Sequence, residues 1–205
     1  MNKKTCIFVA LVLILSSMLT ACGSKETPEQ AVTSALNAVK NSDVDTAQKY
    51  FDQDNLFVVD PETGKAVTDE ENARLVLSKL NFKVLSSSID GDTAVVKTEI
   101  SNIDISSIAM EYFQQVMQLS ADDNFDENAN DEEIEAQLKK MLTDLLSRDD
   151  DTMTTSAIDI TLSRHEDSWK INVTDDLKDA VLGGAISVAE VMGNISGSGE
   201  SSEAN

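Results

Sequence analysis

KVLSSSIDGDTAVVKTEI, residues 83–100, decides the fold. Phe82, Val84 and Leu85 lead into Asp90-Gly91-Asp92, and beyond that turn Ala94, Val96, Thr98 and Ile100 stand at every second position. A period of two sends alternate side chains to opposite faces of an extended chain, and Asp and Gly are turn formers. The segment reads as a β-hairpin with one face in a core.

Working outward, a second hairpin follows late in the chain. Ile158, Ile160 and Leu162 alternate, His165-Glu166-Asp167-Ser168 turns, and Trp169, Ile171 and Val173 alternate again. The rest of the pattern is helical. Thr27-Pro28-Glu29-Gln30 combines an N-cap, a Pro at the first helical position and a Gln that closes a capping box. Ala31, Val32, Ala35, Leu36 and Val39 then form one stripe. After Asn41-Ser42-Asp43, the residues Val44, Ala47 and Phe51 mark a second short helix. Leu56 to Val59 fits a short strand before the Pro61-Glu62-Thr63-Gly64 turn, and Thr68 with Glu71 opens a helix through Leu75, Leu77 and Leu80. Between the hairpins lie helical stretches at Ser106–Leu119 and Asp131–Leu146, joined by an acidic loop. After Thr174 a last helix carries Leu177, Val181, Ala185, Val188 and Met192. Helices first, then hairpins packed by helices, is an α+β order. No internal repeat is present.

The N-terminus has the three parts of a secretory signal. Lys3 and Lys4 are followed by the apolar run Cys6–Leu15, then Ser16-Ser17-Met18. Leu19-Thr20-Ala21-Cys22 resembles the lipobox of bacterial lipoproteins. That resemblance implies a diacylglyceryl group on the Cys22 thiol and cleavage just before it. Two acyl chains, at roughly 0.8 kcal/mol per buried CH₂, hold where one chain is marginal. An ordinary signal cleavage is disfavoured by Leu19 three residues before the cut. A spanning helix needs about 20 apolar residues, and Ser16, Ser17 and Thr20 interrupt the run.

A second resemblance concerns the exported part. The opening PEQAVTSALNAVKNSDVDTAQKYF (28–51), the hairpin at 83–100 and the closing SRHEDSWKINV (163–173) are similar to small exported lipoproteins with a nuclear-transport-factor-two-like, or cystatin-like, domain. The similarity covers residues 27–100 and 155–175. It implies N-terminal helices packed on a curved antiparallel sheet, a last strand closed by Trp-Lys-Ile, and a cone open at one end. The helical pair at about 104–147 departs from that pattern and reads as an insertion over the open end. The expected organisation is a signal peptide at 1–21, a short tether at 22–26, one α+β domain at 27–195 and a disordered tail at 196–205. The tether from Gly23 to Glu26 keeps the domain within roughly 15 Å of the membrane.

Cleavage removes two lysines and no acids, which leaves 14 basic against 37 acidic residues in 184, a formal charge of −23. That surface repels nucleic acid and anionic headgroups. Lipid on Cys22 is therefore the expected membrane contact. Cys6 leaves with the signal and Cys22 is acylated, so disulfides, thiolate metal sites and cysteine nucleophiles are excluded.

Few residues remain for chemistry. His165 is the only histidine and falls in a predicted turn beside Glu166 and Asp167. A catalytic imidazole needs burial and an oriented nucleophile, so a solvated turn residue is the reading. Isomerases on the resembled fold use a carboxylate base and a Tyr donor. Tyr50 and Tyr112 fall on apolar helix faces, where packing explains them, and no motif selects a carboxylate partner. Trp169 reads as a core anchor of the last strand. Gly183-Gly184 inside the last helix costs about 1 kcal/mol per Gly relative to Ala, and marks close packing or a kink. Asp122, Asn124, Asp126, Asn128, Asn130 and Glu133 occupy positions 1, 3, 5, 7, 9 and 12 of a calcium-loop spacing. Glu127 stands where the sharp turn requires Gly, and Asp122, Asn124, Asp126 and Glu133 are weak candidates for a metal that is not expected. The sequence thus points to a lipid-anchored, extracytoplasmic binding or interaction module, without catalytic residues or cofactor and with an unknown protein or small-molecule partner. The alternatives are a small-molecule enzyme or carrier using the concave sheet face, and calcium-modulated binding through 122–133.

Overall fold

The computed structural model describes residues 26–51, 70–121, 131–149 and 152–197, with seven helices and four strands among them. The lipobox, the expected strand at 56–59, the turn at 61–64, Thr68 and the loop at 122–130 lie outside the described residues, as does the tail from 198 onward.

Helix α1, Pro28–Lys40, begins as its sequence dictates. The Thr27 hydroxyl accepts from the Gln30 amide at 3.3 Å, and the Thr27 amide donates to the Gln30 side chain at 3.0 Å. Two otherwise orphaned donors are thereby satisfied. Ala31, Val32, Ala35, Leu36 and Val39 form its buried stripe. The next element departs from the expected helix. α2 is a single turn, Val44–Ala47, capped by Asp43, with Val44 62% exposed. Phe51 is buried by extended pairing instead: it bridges Ile171, whose amide donates to the Tyr50 carbonyl at 2.7 Å. A helix carried through Phe51 would forfeit that pairing. α3 is Glu70–Ser78, and Leu80 is buried just beyond its end rather than within it.

The sheet is antiparallel in the order β1-β2-β3-β4, formed by Asn81–Asp90, Thr93–Ile103, Met153–His165 and Ser168–Ile171. Both predicted hairpins are present. Gly91, at φ 59°, makes the first turn, and Glu166, at φ 54°, lies in the second. β2 alternates strictly: Ala94, Val96, Thr98 and Ile100 are buried, while Thr93, Val95, Lys97 and Glu99 are exposed. Opposite them on β3, Leu162, Ile160 and Ile158 pair with Ala94, Val96 and Thr98. Leu85 is an extra residue in β1, a bulge between Val84 and Ser86. β4 ends at Ile171, so the expected third alternating residue, Val173, packs on the core from beyond the strand.

Helices α4, Ile105–Ser120, and α5, Asp131–Leu146, form the predicted pair. The predicted last helix divides at Gly183-Gly184 into α6, Asp175–Val181, and α7, Ala185–Gly197. Both glycines have positive φ, 64° and 85°, which terminates the helix instead of kinking it. A Cβ on Gly183 would sit 1.9 Å from the Ile103 carbonyl oxygen, so close packing is part of the same corner. Asp179 on α6 caps α7 across the corner, accepting from the Ile186 and Ser187 amides at 2.9 and 3.0 Å.

The two ends of the sheet differ. The Ser87 hydroxyl donates to Glu29 near the start of α1, and Lys40 Nζ donates to Asn81 at 3.3 Å near its end. The N-terminal end of α1 therefore lies at the end with both hairpin turns. α4 leaves from the opposite end, after Ile103.

Candidate functional site

The inward face of the sheet is the first place to look for a pocket, and it is filled. Ala94, Val96, Ile100, Ile160, Leu162, Trp169 and Ile171 are buried against the α1 stripe and against Leu177 and Val181 of α6. Trp169 is 3% exposed, with the Arg164 guanidinium 4.4 Å from its ring centroid. Its role as a core anchor follows from that burial. Thr98 is the one hydroxyl on this face of β2, and it donates weakly to the Val96 carbonyl at 3.4 Å.

The far end of the sheet is closed by a second apolar cluster. Ile103, Ile108, Leu145 and Leu146 are buried together, with Leu75, Val76, Tyr112 and Leu142 packed around them. The root of the α4–α5 pair is therefore a continuation of the fold. Its polar ties are specific. Asp104 caps α4, accepting from the Ser106 amide at 3.0 Å and the Ser107 hydroxyl at 2.8 Å. Arg148 makes a two-pronged pair with Glu111, at 2.9 and 2.6 Å. Those hydrogen bonds hold the Glu111 carboxyl below its ordinary value of 4.5. Lys79 Nζ donates to the Arg148 carbonyl just past the end of α5, where a cation suits the helix dipole. Buried Asn102 joins this root to the corner after α6, because its Nδ2 donates to the Val181 carbonyl at 2.6 Å and its Oδ1 accepts from the Ile103 amide at 2.7 Å.

Between α4 and α5 lies a cleft of about 350 Å³, lined by Gln115, Gln137, Lys140, Met141, Asp144 and Arg148 among others. It is open to solvent, and its charged groups have protein partners: Lys140 pairs with Asp144 and Arg148 with Glu111. The outward face of α4 is different. Met110, Phe113 and Met117 are 66%, 59% and 56% exposed, at a spacing of three and four residues that sets them in one row. Three large apolar side chains in a row on solvent are a patch, whereas single exposed ones are ordinary.

The residues selected from sequence are not brought together. His165 is exposed and ends β3, one residue before the turn proper. Tyr50 is not on a helix face. It lies in the turn after α2, where its hydroxyl donates to Glu26 at 2.9 Å and partial burial raises its pKa above 10. Tyr112 packs in the second cluster, at the other end of the sheet. Glu133 sits exposed in the first turn of α5, while Asp122, Asn124, Asp126, Asn128 and Asn130 lie outside the described residues. Among the described residues, no group of three His, Cys, Asp or Glu side chains is placed to hold a metal, and no helix is long and apolar enough to cross a membrane. The row on α4 went unread in the sequence. Its signal is that α4 carries one charge, Glu111, in sixteen residues, with an apolar arc wider than one buried stripe needs.

No family model, no curated protein and no solved structure matches this chain.

Proposed function

We propose that the chain is a non-catalytic interaction module, held by lipid on Cys22 at the outer face of a bacterial membrane. The observation that carries the interaction reading is the filled inward face of the sheet. A carrier or enzyme on such a sheet needs a concavity with convergent polar groups. Here Leu36, Val96, Ile100, Ile160 and Trp169 occupy that volume. The anchor reading rests on the lipobox, and the similarity to exported nuclear-transport-factor-two-like lipoproteins is part of the same proposal. A helical layer over a four-stranded antiparallel sheet supports it.

Lipid labelling with detergent phase separation, followed by native mass spectrometry of the purified chain, tests both parts. The parent is expected to take up labelled fatty acid and enter the detergent phase, and Cys22→Ala to do neither. Parent protein in the aqueous phase with a free thiol overturns the anchor. A small molecule retained at one per chain, and lost on Val96→Trp, overturns the filled-sheet reading.

A further inference from the structure

We propose that the end of the sheet with both hairpin turns faces the membrane, and that the root of the α4–α5 pair is held on the side remote from it. This rests on the lipid anchor at Cys22 and adds which end of the domain a partner in the aqueous phase can reach.

A chain of contacts fixes the start of the domain to the hairpin end. The Tyr50 hydroxyl donates to Glu26, four residues after Cys22, at 2.9 Å. The Tyr50 carbonyl accepts from the Ile171 amide, Ile171 lies opposite Leu162, and Leu162 lies opposite Ala94. Ala94 is two residues beyond Asp92 of the first turn. The Arg164 amide donates to the Asp92 carbonyl at 2.8 Å, which sets the second turn beside the first. The capping box at Thr27 and the bond from Ser87 to Glu29 hold the following residues at the same end.

Distance then separates the two ends. From Cys22 to Glu26 the chain reaches at most roughly 15 Å. Ile103, where β2 leads into α4, is nine residues from Ala94, about 30 Å along the strand. That is about twice the reach of the tether. Ile108, Leu145 and Leu146 cluster with Ile103 there, and the corner at Gly183 packs on the Ile103 carbonyl.

Charge opposes a domain that lies on its side. In α4 and α5, Glu111, Asp131, Glu132, Glu133, Glu135 and Asp144 outnumber Lys139 and Lys140. The outer face of the sheet offers an anionic bilayer no net attraction, because Lys83 stands opposite Glu99 and Lys97 opposite Asp159. The whole chain has a formal charge of −21, and loss of Lys3 and Lys4 makes it −23. Anionic headgroups repel such a body. The turns carry acids too, Asp90, Asp92 and Glu166, so the covalent tether keeps this end near the bilayer, without help from attraction.

The experiment uses the processed full chain in phosphatidylcholine vesicles that contain phosphatidylglycerol and a headgroup-labelled energy acceptor. Cys22 is acylated, so one introduced thiol carries the donor. Asp90→Cys marks the hairpin end, and Ser106→Cys and Asp149→Cys mark the root of the helical pair; all three positions are exposed. Transfer from position 90 is expected to be at least two-fold more efficient than from 106 or 149. A ten-residue Gly-Ser insertion after Ser24 adds up to ~35 Å of reach and is expected to lower transfer at 90 to the level at 106. Equal transfer from both ends of the uninserted chain, or stronger transfer from 106 and 149, overturns the proposal. Strong transfer at 90 that survives the insertion overturns it in favour of turns that bind the bilayer themselves. Flotation of the same vesicles reads the anchor separately. Protein that floats and transfers equally from both ends refutes the orientation alone, whereas protein that does not float refutes the anchor and the orientation together.

Discussion

Replacing Asn102 by alanine removes one side chain that joins three elements. Asn102 is fully buried at the end of β2, and both of its partners, Val181 and Ile103, are buried as well. Its amide nitrogen satisfies a carbonyl in the last turn of α6, and its oxygen accepts the amide that leads into α4. Alanine returns neither bond, and water has no ready route to either partner. A buried polar group deprived of its partner costs about 1–3 kcal/mol, so two deprived groups cost about 3 kcal/mol after partial relaxation. For a domain of this size, 1 kcal/mol is about 2–4 °C, which gives a loss of roughly 6–12 °C. Asn102→Leu should do no better, because matching the volume leaves the same two groups unmet. The assay is thermal melting by circular dichroism, with urea unfolding to confirm an unchanged slope. An alanine variant that melts within about 2 °C of the parent would refute the reasoning, since the junction would then hold by apolar packing alone.

Three further outcomes are expected. Gly183→Ala should destabilise far more than Gly184→Ala: both pay for a left-handed backbone, about 1–2 kcal/mol, but only at 183 does the new Cβ strike the Ile103 carbonyl oxygen. Equal midpoints for the two variants would sink this. The Glu111–Arg148 pair contributes a pH dependence with a definite sign. A depressed folded-state pKa gives stability that is present above the ordinary value of 4.5 and is lost as pH falls through the folded value. Glu111→Gln should therefore unfold at lower urea than the parent at pH 7, with the gap closing below pH 4.5; a gap that widens in acid contradicts the assignment. Finally, melting in chelator against 10 mM calcium should show a small shift that magnesium reproduces and that Asp122→Ala with Glu133→Ala retains. A filled site at ten times its dissociation constant adds about 1.4 kcal/mol, or roughly 3–6 °C, and a calcium-selective shift of that size, lost in the variant, reverses the reading.

What the sequence made legible follows from the range of the physics involved. The capping box at Thr27 and Gln30 is complete within four residues, so it could be read and is present. The alternation of β2 was legible because one face is buried from Ala94 to Ile100, and that of β3 because Ile160 and Leu162 are buried opposite it, which leaves a period of two in the apolar residues. The limits of α5, Asp131 and Leu146, are those expected from its acidic first turn and the apolar stripe that follows. Decisions taken across the chain were not visible. Phe51 fits a helical stripe locally, yet its place is set by Ile171, 120 residues later. Asn102 reads as another polar strand residue until Val181 arrives beside it. Asp179 looks like a surface acid of α6, and only the corner at Gly183-Gly184 makes it the cap of α7. The α4 row was hidden for a related reason. A helix with so wide an apolar arc is read as buried, and which part of the arc stays uncovered depends on where α5 and α7 come to rest.

The bulge at Leu85 bears on how this protein tolerates its own neighbours. Among the described residues β1 pairs on one side only, with β2. A flat outer strand presents a ladder of unmet amides and carbonyls that a neighbouring copy can extend into a fibre. For chains tethered in a plane, all upright and at high surface density, such strands would meet in alignment far more often than in free solution. Leu85 breaks the ladder midway, leaving short runs on either side of it. Lys83 and the polar run Ser86-Ser87-Ser88 add charge and hydration where an apolar zipper would otherwise form. One inserted residue thereby interrupts the edge along which copies held on a surface, as proposed, would otherwise polymerise.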